Sequence, residues 1–144
     1  MDTIWDKLLK YLAALGGAAS GFFGGFDPVF RVLVAMMAVD YISGVVVALL
    51  GKSRKTASGR LDSKTGARGI AKKGLMLLVV LIAAMLDVAL GTEQQIFRQA
   101  VIWFYIANEA LSILENMALA NVPFPQRLLT ALEQIRTRND QGES

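Results

Sequence analysis

Three long blocks of apolar residues dominate this chain, and a bilayer core, which a helix crosses with about 20 mostly apolar residues, is the environment that selects such blocks. The first spans residues 28–50 (PVFRVLVAMMAVDYISGVVVALL), the second 74–91 and the third 97–120 (FRQAVIWFYIANEALSILENMALA). Asp27 is a good N-cap and Pro28 suits the first helical position, so the start of the first block is well marked. Pro123 and Pro125 close the third. A soluble core helix would turn a polar face outward every turn, and the first two blocks do not. Hydrophobic residues make up 54% of the 144 positions, against roughly 45–50% in soluble domains. The chain has no Cys and no His, which excludes disulfide scaffolds, Cys/His metal sites and thiol- or His-based catalysis. The expectation is a single all-α integral membrane domain with no metal, no cofactor and no enzymatic activity.

Around the three predicted spans lie an N-terminal segment (1–26), a loop (51–73) and a tail (125–144). In the first, Trp5, Leu8, Leu9, Tyr11 and Leu12 alternate with Asp2, Asp6, Lys7 and Lys10, the pattern of an amphipathic helix lying in the membrane interface. Residues 8–26 carry only Lys10 as a charge, so a fourth span is open as well, and a cleaved signal peptide is a weaker third reading. Gly17, Gly21 and Gly25 recur every four residues, a spacing that lets helix backbones approach closely in lipid. A flexible glycine hinge is the blander alternative.

The loop holds 8 of the 15 basic residues, among them Lys52, Arg54, Lys55, Arg68, Lys72 and Lys73, opposed only by Asp62. Short loops rich in Lys and Arg stay cytoplasmic, which puts this loop and the C-terminus inside and leaves the side of the N-terminus open. The loop has no aromatic residue on which bases could stack, so anionic lipid explains it better than nucleic acid. Gly51-Lys52-Ser53 is no phosphate loop, because position 46 is Val where that pattern needs Gly. Leu128, Leu129, Leu132 and Ile135 give the tail a helical apolar face, with its last eight residues (TRNDQGES) expected to be disordered.

Charges inside the blocks carry the most information. Asp40 is near the middle of the first; Asp87 and Arg98, at similar depth in the second and third, are a plausible pair. At 100° per residue, Arg98, Tyr105, Asn108, Glu109, Ser112, Glu115 and Asn116 fall within an arc of about 120°. Nine Leu, Ile, Val and Phe residues in the third block favour insertion by roughly 4 kcal/mol, whereas a central carboxylate opposes it by about 2.5–3.5 kcal/mol. Two glutamates overturn the sum. Their side chains must be neutral, paired inside a bundle or facing water. With no Lys or Arg expected deep in the other blocks, a stripe that lines water in an assembled state is favoured over one that merely glues helices together.

The motifs also resemble a known family. Asp40-Tyr41-Ile42-Ser43-Gly44, Gly51-Lys52, the run Gly66-Ala67-Arg68-Gly69-Ile70-Ala71-Lys72-Lys73, the thirteen residues from Phe104 to Asn116 and Val122-Pro123-Phe124-Pro125 are similar, in order, to successive blocks of the toxin secretion/phage lysis holins. Ala110 departs from a frequent Gly, and residues 54–66 are longer and more basic than usual. The resemblance implies a multi-span protein of the bacterial cytoplasmic membrane that associates with itself and opens lesions. An endolysin or toxin then leaves without needing to bind it. It also implies Asp40, Tyr105, Asn108, Glu109, Ser112, Glu115 and Asn116 as pore-lining or assembly residues, and Gly44 beside the glycine ladder as a packing position. Two other readings remain on the residues alone: a small proton-coupled or ion transporter, and a membrane anchor subunit of a larger complex.

Overall fold

The computed structural model describes residues 3–141, which form five helices and no strand. Helix α1 (Ile4–Phe22) opens with a capping box in which Thr3 and Asp6 satisfy each other's backbone N–H groups. None of its residues is buried. Helix α2 (Pro28–Leu49) starts at Pro28, with the Asp27 carboxylate accepting from the N–H of Phe30. Helix α3 (Ser63–Leu90), α4 (Ile96–Leu119) and α5 (Gln126–Gln141) follow. The tail therefore stays helical through residues 137–141, where disorder is expected from composition; residues 142–144 lie outside the described residues.

The largest departure from the sequence reading is α3. Asp62 accepts from the N–H groups of Lys64 and Thr65 and from the Thr65 hydroxyl, and that cap starts the helix at Ser63 rather than Gly74. Only residues 50–62 are loop, and Lys64, Arg68, Lys72 and Lys73 belong to a helix of 28 residues, about 42 Å long. Its first eleven residues carry charge, and the apolar remainder packs into the bundle.

α2, α3 and α4 run up, down and up. α4 packs between the other two, while α2 and α3 touch each other least. The core is Phe30, Leu33 and Met37 of α2, Met76 and Val80 of α3 and Ile102 of α4. Outer faces stay apolar: Val39, Ile42 and Val46 on α2 and Leu78, Ile82 and Met85 on α3 are all exposed. α2 and α3 are long and apolar enough to cross a membrane, and only 28% of each apolar stretch is buried. A soluble core helix would be mostly covered, so lipid is the environment these faces fit.

Candidate functional site

Two polar clusters tie the helices together, one where α3 turns into α4 and one near the middle of α2 and α4. At the first, Arg98 is fully buried. Its guanidinium donates to the Asp27 carboxylate at 2.7 Å, to the Gly25 carbonyl at 2.8 Å, to Gln95 Oε1 at 3.2 Å and to the Phe23 carbonyl, and lies over the Phe30 ring. Gly24, at φ +75°, sits so close to Arg98 that an added Cβ would be 2.9 Å from its Cδ. The hydrogen bond from Arg98 holds the Asp27 carboxyl below the usual carboxylate range, against the opposing push of partial burial.

The expected side-chain pair of Asp87 with Arg98 does not form. Asp87 instead accepts from the backbone N–H groups of Phe97 and Arg98 at 3.1 and 2.7 Å and from the Thr92 hydroxyl. Gln95, at φ 50°, offers α4 no side-chain cap, so a carboxylate from the preceding helix satisfies those donors. Both residues are structural, joining α3, α4 and the α1–α2 linker.

The second cluster lies deeper along α4, about 16 Å from Arg98 at 1.5 Å per residue. Lys73 of α3 reaches between α2 and α4, donating to Asp40 at 2.8 Å and to Glu109 in a shorter contact. Side-chain exposure is 16% for Lys73, 9% for Asp40 and 7% for Glu109. Asn116 donates to Ser43 Oγ at 2.9 Å and to Asp40 Oδ1 at 3.3 Å, and the Ser43 hydroxyl donates to the Asp40 carbonyl. Gly44 leaves room for the Asn116 amide, 3.7 Å from where a Cβ would be. Among the described residues, no buried side-chain polar atom lacks a hydrogen-bond partner.

This corrects the expectation that nothing basic reaches the stripe. Lys73, read from sequence as part of the cytoplasmic anchor, is the counter-ion of both buried carboxylates. Its signal is its phase: Gly66, Gly69, Lys73, Met76, Val80, Ala83 and Asp87 recur at intervals of three or four, so Lys73 lies on the face that α3 turns inward. Fully ionised, the trio carries one surplus negative charge.

Beside the trio lies a cavity of about 740 Å³, lined along α4 by Tyr105, Asn108, Glu109, Ser112, Glu115 and Asn116. Except for Arg98, the whole predicted stripe faces this space within one chain. Arg54, Lys55, Arg60 and Lys72 line it as well, whereas Lys52 and Arg68 do not. The glycine ladder has no such role inside the chain. Gly17 and Gly21 have nothing within 4 Å of a would-be Cβ, and Gly25, at φ +101°, lies beyond the end of α1.

Comparison with known proteins gives the arrangement a family. Residues 17–137 match the model of the bacteriophage holin family. The chain is 37% identical over 138 residues to an uncharacterised 14.9 kDa protein of Clostridium perfringens, covering 96% of this chain and 99% of that one. It is 42% identical over 124 residues to an uncharacterised protein of Listeria innocua, covering 85% and 83%. It is also 33% identical over 109 residues to a protein of Bacillus phage phi105 named "Probable holin", covering 76% and 75%. No solved structure matches it significantly. A helical chain with two apolar helices fit for a bilayer, matched over most of its length by that family model, belongs to the bacteriophage holins, which are membrane proteins of phage lysis and not enzymes.

Proposed function

We propose that this protein accumulates in the bacterial cytoplasmic membrane with α2, α3 and α4 as spans and the basic segment and C-terminus inside, then associates with further copies to open lesions through which an endolysin or toxin escapes. The observation that carries the reading is the polar stripe of α4, which faces a cavity and whose Glu109 is paired with Lys73. In the closed subunit Lys73 neutralises part of the charge that α4 brings into the bilayer, where an unpaired carboxylate opposes insertion by about 2.5–3.5 kcal/mol. Assembly offers a second way to satisfy these groups: once copies surround a water-filled opening, Asn108, Glu109, Ser112 and Glu115 are hydrated and Glu109 no longer needs Lys73. Closed and open states thus differ in what solvates one stripe. The relative named "Probable holin" supports this reading.

Induced expression in a bacterium that also makes a cytoplasmic endolysin tests it: abrupt lysis is the expected result. Glu109→Gln and Glu115→Gln should each shift the onset while the protein still enters the membrane. Normal timing in both variants would reduce the stripe to packing, and no lysis by the parent chain would remove the reading altogether.

A further inference from the structure

The cavity is cationic at one end and apolar along one side. Arg54, Lys55, Arg60 and Lys72 line it, and among the described residues none of the four joins an ion pair. Asp62 and Glu115 also reach it, so the rim keeps an excess of two positive charges, which becomes one for the whole cavity once Lys73, Asp40 and Glu109 deeper inside are counted. Asp62, moreover, is already engaged in capping α3. The rim is ordered by Gly59, whose carbonyl accepts from Ser53 N–H at 2.9 Å, and by the Thr56 hydroxyl, which donates to the Arg60 carbonyl at 2.9 Å.

The apolar side follows from the packing. α2 and α3 touch least of the three pairs, and Val45 and Ala48 of α2 and Leu75 and Val79 of α3 wall the cavity between them. Leu75 is 62% and Val79 40% exposed, so this wall opens sideways onto whatever surrounds the bundle. The volume falls in the range of ligand sites, about 300–1,000 Å³.

We infer that the α2–α3 cleft binds an anionic phospholipid, its phosphate on Arg54, Lys55, Arg60 and Lys72 and an acyl chain between Val45 and Val79. A soluble anion would use the rim and leave the apolar cleft empty; a zwitterionic lipid would fill the cleft and gain little from the rim. The inference rests on α2 and α3 crossing the membrane, and is independent of lesion formation.

The experiment uses the full chain purified in a neutral detergent, with dioleoyl phosphatidylglycerol, dioleoyl phosphatidylcholine or inorganic phosphate added, read by native mass spectrometry and thermal melting. Phosphatidylglycerol should give a discrete adduct and raise the melting temperature, and the other two should not. Arg54→Gln with Arg60→Gln should weaken that binding about thirtyfold, at roughly fivefold per removed charge. Lys64→Gln with Arg68→Gln, which removes equal charge outside the cavity, should leave it nearly unchanged. Val79→Trp, which fills the cleft, should abolish the adduct with the rim intact. Equal weakening by both charge pairs, equal protection by inorganic phosphate, or an adduct that survives Val79→Trp would each overturn the site. Failure to float with phosphatidylcholine liposomes would overturn the spanning reading and the site with it, whereas flotation without lipid selectivity overturns the site alone.

Discussion

Replacing Lys73 with Met keeps an unbranched stem and removes the charge, leaving Asp40 and Glu109 facing each other with no cation between them. Breaking a buried ion pair by removing one partner costs about 3–5 kcal/mol, because the other charge stays buried. The 16% exposure of Lys73 argues for the lower end, and about 3 kcal/mol is a factor of roughly 150 in an equilibrium constant. Lys73→Met should therefore lower the melting temperature in detergent and bring lysis onset forward in cells that also make an endolysin. Adding Asp40→Asn and Glu109→Gln removes the stranded charges and should return the melting temperature to near the parent value, since replacing an entire buried ionic group is often nearly neutral. Immunoblots of membrane fractions would separate early triggering from poor insertion. Parent-like melting and timing in Lys73→Met, or a triple variant no better than the single one, would refute the view that this lysine holds the bundle closed.

Arg98→Met should destabilise the chain by about 3 kcal/mol, the low end for a broken buried pair because the stranded Asp27 carboxylate is 32% exposed, with the carbonyls of Phe23 and Gly25 left unpaired as well; Arg98→Lys should recover only part, lacking the planar fork. Asp27 has a depressed carboxyl pKa in the folded state, so its contribution is fully present above the unfolded value of about 3.9 and is lost as pH falls through the folded one. Melting temperatures recorded downward from pH 5 should drop less steeply in Asp27→Asn than in the parent. The chain has no cysteine, so Ser58→Cys is a single probe of sidedness: a membrane-impermeant maleimide should label it only after cells are opened, and labelling of intact cells would reverse the topology.

Local rules made much of this legible from sequence. Asp27-Pro28 states where α2 begins, and the polar arc of α4 follows from helical phase alone. What escaped was long-range. Lys73 ends a run of positive charge and precedes Gly74, so hydropathy assigns it to a loop, although the Asp62 cap and the inward phase of α3 were both readable. Its partners are 33 and 36 positions away, and only packing α3 against α2 and α4 brings them together. In the sequence, Asp87 and Arg98 read as opposite charges at similar depth. Backbone donors at the start of α4 competed for the carboxylate, while the α1–α2 linker supplied carbonyls for the guanidinium, and neither competitor shows in a charge pattern.

The two polar clusters hold the helices unequally. α2 and α4 are fastened twice, through Arg98 with Asp27 and through Asn116 with Asp40 and Ser43. α3 is fastened by its far end, where Asp87 grips the start of α4, and at its charged end by the ammonium of Lys73. On the proposed reading, cutting that tether would leave the charged half of α3 held by apolar packing alone, through Met76 and Val80, so that α3 becomes a door on a hinge at Gly91 with α2 and α4 as its frame. The swing would bare the stripe without unfolding a turn of helix, and each copy would expose the same edge to its neighbour.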